Sequence, residues 1–147
     1  MKKSNAITEI MVGDHALIEV LLIYFKDSLG KSAELTERTF DKFRWELEKH
    51  IFVEEKVIFV FCKLVNSEMC QIVEKLAEQH ETFFEMLNEM KNDIVIKNET
   101  DISKFQELLT NHRKTEETIL YPKLDQEVNE TQKEMIIAQI NEIPLSK

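Results

Sequence analysis

Two short stretches, HIFVEE at His50 to Glu55 and HRKTEE at His112 to Glu117, share the pattern His-x-x-x-Glu-Glu. On an α-helix, residues four apart lie one turn up the same face, so an imidazole nitrogen and a carboxylate oxygen at this spacing can reach one metal ion. Each stretch runs into an apolar segment with an aromatic residue at or near its end, KVIFVF after the first and TILYP after the second. The only other histidines, His15 and His80, each precede one of these stretches by about the length of a helical hairpin. The order His, His-x-x-x-Glu, His, His-x-x-x-Glu is an internal repeat, and it suggests a site for two metals.

Imidazole and carboxylate together suit iron, manganese or zinc, whereas calcium and magnesium prefer oxygen shells. Two metals with two histidines each, and with Glu54 and Glu116 able to bridge them, describe carboxylate-bridged dinuclear chemistry. Iron is favoured over manganese and zinc, because zinc alone does not usually call for a pair of bridging carboxylates. Taken singly, a histidine on a core face is more often a hydrogen-bonded structural residue, and with 28 acidic residues in the chain a lone His-x-x-x-Glu is weak. The conjunction decides it. All four histidines fall on expected interior faces, one per helix, and an up-down bundle can bring four such positions to one level.

The elements that must position these residues follow from the apolar spacing. A first helix is expected over about residues 6–29, where Gly30 supplies a left-handed stop; Ile7, Met11, Ile18, Leu22, Phe25 and Leu29 share its stripe with His15. A second runs over about 32–65, with Phe40, Phe43, Leu47, His50, Glu54, Val57, Phe61 and Val65 as its seam. After a break at Asn66 and Ser67, a third extends to about residue 92 and turns Met69, Val73, Leu76, His80, Phe83, Leu87 and Met90 inward. Residues 94–100 read as a loop. A fourth helix starts near Thr100 or Asp101 and carries Ile102, Phe105, Leu109, His112, Glu116 and Ile119 on one face, until Pro122 bends or ends it. Thr131 and Glu134 suggest a capping box for a short last helix, amphipathic through Met135, Ile136 and Ile140, acting as a lid or brace.

A chain of 147 residues fits one domain, here 1–147, with the bundle over about 6–121 and the brace over about 130–142. Two glycines and two prolines leave few turn signals. The expected fold is therefore all-α, an up-down-up-down four-helix bundle with a short C-terminal helix. A net charge of -9 with no basic stripe argues against a nucleic-acid partner. No apolar run reaches the roughly 20 residues of a membrane span, and no signal sequence precedes Asp14 and His15. A soluble cytoplasmic protein without a membrane partner is expected. Cys62 and Cys70 fit no metal or redox spacing and read as mostly buried thiols.

These residues together resemble the hemerythrin-like proteins of the HHE cation-binding type, which include the di-iron domain of bacterial iron-centre repair proteins. The resemblance spans roughly Ala6 to Leu124. It rests on Asp14-His15, His50-x-x-x-Glu54 with Glu55, His80, and His112-x-x-x-Glu116-Glu117 followed by ILYP. It implies a four-helix bundle around a non-heme di-iron centre, two iron ions bridged by carboxylates and an oxo or hydroxo group. His15, His50, His80 and His112 would be the terminal ligands, and Glu54 and Glu116 the bridges. The oxygen-carrying hemerythrins have a second histidine four residues after the helix-three histidine, where this chain has Phe84, and an aspartate where it has Glu117. The repeat favours Glu116 over Glu117. Glu117, Glu55, Glu19 and Glu81 read as solvated or supporting carboxylates.

With four histidines where the carriers have five, both metals would keep an exchangeable position. That favours reaction with dioxygen, peroxide or nitric oxide, with an electron donor or protein partner completing any redox cycle. The alternative is a module without turnover, for reversible dioxygen binding or storage or for iron or oxygen sensing; a structural zinc bundle is a third class. Phe43, Phe61 and Phe83 read as core. Phe84, one turn after His80, is placed to wall the open side of the site, so Phe84→His is expected to add a ligand. Tyr24 and Tyr121 could donate hydrogen bonds to the carboxylates, but packing is the role expected of both.

Overall fold

The apolar stripes fold as seven helices in the computed structural model, which describes residues 4–96 and 101–142; no strand occurs among those residues. α1 (Ala6–Ser28) stops before Gly30, whose φ of 83° is open to glycine and strained for other residues. α2 (Ala33–Val53) is capped by Ser32, which accepts the Leu35 amide. It passes through a five-residue π-helical turn, Glu54–Ile58, into α3 (Phe59–Val65). α4 (Met69–Val95) follows. α5 (Ser103–Thr115) passes through a second π turn, Glu116–Leu120, into α6 (Tyr121–Glu127), and α7 (Glu130–Glu142) comes last.

Each π turn adds a residue to one turn and rotates everything beyond it. The seam expected through Val57, Phe61 and Val65 instead runs through Val57, Ile58, Phe59 and Cys62, with Phe61 and Val65 only half-buried. In the second half Ile119 is turned outward, 47% exposed, and Leu120, Tyr121 and Leu124 are buried in its place. Pro122 does not end the helix. It sits in the first turn of α6, directly after the π turn, where a missing N–H costs least.

Other boundaries move by a few residues. α4 continues to Val95 with Ile94 buried, and residues 97–100 of the expected loop lie outside the described residues. The cap of α7 is Asn129 with Gln132, each side chain bonding the other's amide at 2.8 and 2.9 Å, not Thr131 with Glu134. α7 turns Lys133, Ile136 and Ile140 inward, and Met135 is 49% exposed. The buried Lys133 ammonium donates to the Ser4 carbonyl at 2.6 Å and pairs with Asp125 at 3.3 Å. Asp125, from α6, accepts the Ile7 and Thr8 amides at 3.2 and 2.9 Å, which completes the N-terminal turn of α1. α7 thus ties the start of α1 to the end of α6.

Two apolar clusters fill the interior. One holds Ile7, Met11, Val57, Ile58, Cys62, Leu76, Leu120, Tyr121 and Leu124 among others; the second holds Ile18, Leu22, Phe25, Phe40, Phe43, Leu47, Phe83, Leu87 and Phe105 among others. Along every long rod a polar group falls between them: His15 between Met11 and Ile18, Glu54 between Leu47 and Val57, His80 between Leu76 and Phe83, and His112 with Glu116 between Phe105 and Leu120. The fold therefore places a polar layer between two dry ones. No helix among the described residues is long and apolar enough to cross a membrane.

Candidate metal centre

All six residues singled out by the repeat meet in that layer. His15, His50, His80 and His112 are 7%, 3%, 0% and 4% exposed, and Glu54 and Glu116 are fully buried. Six ionisable side chains in an apolar interior are costly unless something inside neutralises them.

The imidazoles share one orientation. On the outer side, Nδ1 of His15 meets Glu117 at 2.7 Å, that of His80 meets Glu55 at 3.2 Å, and that of His112 meets the Gln79 carbonyl oxygen at 2.6 Å. Nδ1 of His50 lies 3.5 Å from Asp14. A carboxylate or amide oxygen can only accept, so the first three contacts put a proton on Nδ1 of His15, His80 and His112 and turn Nε2 inward, where a cation could take the place of a second proton; His50 Nδ1 is without a hydrogen-bond partner. The Nε2 atoms of His15 and His50 then face each other at 3.0 Å. At that distance the two ring nitrogens can be joined by one proton or by a cation that binds both. His112 Nε2 and both Glu116 oxygens, like His50 Nδ1, are buried without a hydrogen-bond partner, and the first three are donor atoms that a cation in the layer would satisfy.

Two donor groups result, each with its atoms within 4.8 Å of one another: Glu54, His80, His112 and Glu116 in one, and His15, His50 and Glu116 in the second. Glu116 belongs to both, with Oε1 3.2 Å from His15 Nε2 and Oε2 3.3 Å from His112 Nε2. Glu54 turns Oε1 toward His80 at 3.1 Å and His50 at 3.5 Å, and its Oε2 accepts the Tyr121 hydroxyl at 2.6 Å. The two carboxylates are thus inequivalent, although the repeat makes them look alike.

Their titration differs in the same way. Burial, followed by the charge of Glu54, holds Glu116 well above the usual carboxylate range. Burial also pushes Glu54 up, but the charge of the facing His50, with the neighbouring Glu116, His112 and His80 side chains, outweighs it and holds Glu54 well below. Without a cation, a proton is therefore held at Glu116 in preference to Glu54. Burial and the two glutamates raise the Tyr121 hydroxyl well above its ordinary value, so it stays a donor. Burial likewise pushes the Cys62 thiol up to about 12; both cysteines are free.

Three expectations need correction. Tyr121 is not a packing residue alone: its hydroxyl reaches Glu54 and lies 3.3 Å from His15 Nε2, while Tyr24 is 59% exposed. Phe84 does not wall the site; it is half-buried against the second apolar cluster. The ring that does is Phe83, 5.1 Å from the His112 ring centre, and Phe59 stacks on His80 at 5.5 Å. Glu55 and Glu117 support the histidines as expected, Glu19 pairs with Arg113, and Glu81 is exposed. Gln79 was missed altogether, since nothing in its surroundings along the chain connects it with His112.

A cavity of about 80 Å³ adjoins the layer, with the four histidines, Glu54 and Glu116 among its lining residues. The model of the hemerythrin HHE cation-binding domain matches residues 6–124. The chain belongs to the hemerythrin HHE cation-binding domain family. No curated protein and no solved structure matches it significantly. Membership in a cation-binding family accounts for the layer of inward Nε2 atoms. The hemerythrin-like domain here carries no second histidine on α4, since Phe83 and Phe84 both follow His80 with rings.

Proposed function

We propose that this hemerythrin-like domain holds a non-heme dinuclear iron centre that reacts with dioxygen, peroxide or nitric oxide. His80 and His112 would hold one ion, His15 and His50 the second, with Glu116 bridging them and Glu54 as the further carboxylate. The rods would run up-down-up-down as one domain over 1–147, in a cytoplasm that keeps Cys62 and Cys70 reduced. The observation that carries the reading is the convergence of four buried imidazoles, each with Nε2 turned inward, on two buried carboxylates. Mixed nitrogen and oxygen donors with a shared carboxylate suit iron or manganese better than calcium or magnesium.

A pair of iron ions in this layer would supply one-electron steps and exchangeable coordination positions. The chain's own residues do the rest. Glu117, Glu55 and Gln79 fix the tautomer and tilt of three imidazoles and raise their basicity. Tyr121 keeps a proton at Glu54 Oε2, beside His15. Phe59 and Phe83 hold water away from His80 and His112.

Metal analysis of the purified protein, joined to stopped-flow mixing of the anaerobically reduced form with dioxygen, tests the proposal. Two irons per chain with fast, irreversible oxidation, or with turnover of peroxide or nitric oxide, is the expected result. A coloured adduct that bleaches when oxygen is withdrawn would establish the carrier or sensor alternative. Tight zinc without redox activity would overturn both.

A further inference from the structure

The cavity above the donor atoms has a mouth, and the way that mouth is framed is the strongest unassigned feature of the molecule. Its deep wall is apolar, from Ile18 and Leu22 of α1, Leu47 and Ile51 of α2 and Phe83 of α4, all buried. It reaches the surface between α1 and α5, where Ile23 is 52% exposed and Leu109 and Thr110 are half-buried.

α1 packs its backbone closely on α2 and α6, and α5 on α4. Across the gap, α1 and α5 are joined by side-chain straps. His15 meets Glu117, Glu19 pairs with Arg113, and Lys26 donates to Gln106 at 3.0 Å. Each step forward along α1 is matched by an equal step back along α5, so the two helices run antiparallel in one register. The Glu19–Arg113 and Lys26–Gln106 straps are seven residues apart on both helices, roughly 10 Å along the axis at 1.5 Å per residue. Between them lie Leu22 and Ile23 facing Leu109 and Thr110, the apolar residues of the mouth.

We propose that this window is the access route to the metal centre, that it admits small uncharged molecules such as dioxygen and nitric oxide, and that the Glu19–Arg113 and Lys26–Gln106 straps gate it. This deepens the function proposed above and rests on it. The reasoning is dielectric. An anion would have to shed its water along a wall of isoleucine, leucine and phenylalanine, whereas a neutral diatomic loses little by doing so. Glu19 neutralises Arg113 across the mouth, and Lys26, held on the neutral Gln106 amide, is the one net charge of the two straps; an anion it draws to the rim still meets the apolar wall. They sit at the half-exposed rim, where exchange with water keeps them labile.

The test uses the full chain in a Cys70→Ser background. Ile23→Cys is labelled through a disulfide with a bulky fluorophore, which a phosphine reductant later removes. In the metal-free protein under xenon pressure, carbon–proton spectra should show shifts of the Ile18, Leu22 and Leu109 methyls, and the label should abolish them. In the iron-loaded protein the label should slow nitric oxide association by about tenfold or more and leave the optical spectrum unchanged, and reduction should restore the rate. Glu19→Gln, which loosens one strap, should raise that rate severalfold. Equal association rates with and without the label, or xenon shifts that persist when the mouth is plugged, would overturn the route. If the chain takes up no iron, the proposed function fails while the xenon measurement still judges the window.

Discussion

The hydroxyl of Tyr121 donates to Glu54 across the bundle at 2.6 Å, from the position five residues after Glu116. The matching position after Glu54 is Phe59, which stacks on His80 and offers no donor. One hydroxyl thus breaks the symmetry of the two halves. It satisfies one oxygen of Glu54, whereas neither oxygen of Glu116 has a hydrogen-bond partner. Tyr121→Phe keeps the ring and strands Glu54 Oε2. A hydrogen bond to a buried charged acceptor contributes about 1.5–3 kcal/mol, so urea denaturation of the metal-free variant should show a loss of about 2 kcal/mol. A loss below about 0.5 kcal/mol would remove the hydroxyl from this role.

Glu116 has a pH signature in the metal-free protein. Its folded pKa lies well above the ordinary 4.5, so the folded chain keeps a proton that the unfolded chain releases. Stability linked to it is full below pH 4.5 and falls as pH rises toward the folded value. Glu54 acts oppositely: its lowered pKa adds stability above its ordinary range, which is lost as pH falls. Glu116→Gln removes only the first effect. In EDTA the variant should match the wild type near pH 4 and exceed it at neutral pH, by about 1–2 kcal/mol. Parallel stability curves across that range would contradict the assignment. The same variant should bind fewer than two metals, because glutamine offers no bridging carboxylate.

How far the chain could be read without coordinates turns on the two π turns. Before each of them the spacing holds: Met69 through Met90 along α4 are buried residue for residue, as are Phe40, Phe43, Leu47 and His50 along α2. The six donor residues were legible because the seam leaves no apolar residue where they stand. Beyond Glu54 and Glu116 a 3.6-residue period points to Phe61 and Ile119, and the extra residue of each π turn brings in Phe59 and Tyr121. That slip hid the tyrosine. Phe83 and Phe84 are neighbours along the chain; the apolar period favours Phe83, whereas the helix-three histidine pattern of the oxygen carriers points to Phe84. Gln79 was illegible for a different reason: its partner His112 is on another helix, and no local pattern marks it.

Phe84→His follows directly. The side chain at this position packs against the second apolar cluster, away from the donor atoms. The variant should keep the metal content and optical spectrum of the wild type, and should lose about 1–3 kcal/mol of stability from a polar ring placed against core. A new absorption band, or a longer-lived dioxygen adduct, would show that α4 turns differently from the structure described.

Glu117 separates support from ligation. It is partly exposed and holds His15 Nδ1 at 2.7 Å, opposite the inward Nε2. Glu117→Gln keeps an oxygen that can accept the same proton, so metal affinity should change little; Glu117→Ala should lower it about 10–100-fold by freeing the ring. Competition with a chelating dye reads this directly. Loss of one metal in both variants would make Glu117 a ligand in place of a positioning residue.

Metal removal tests the layer as a whole. Six buried ionisable groups, two of them imidazoles whose Nε2 atoms face each other at 3.0 Å, oppose folding until a cation joins them. Iron(II) binds the folded chain in preference to the unfolded one, so at a thousandfold excess over Kd it should add about 4 kcal/mol. For a chain of this length that is about 8–16 °C in Tm, measured anaerobically with and without chelator. Calcium and magnesium, which favour oxygen shells, should shift Tm by no more than a degree or two over the same range. An equal shift from calcium would mean that the surface carboxylates of this acidic chain, and not the imidazole layer, take up the ion.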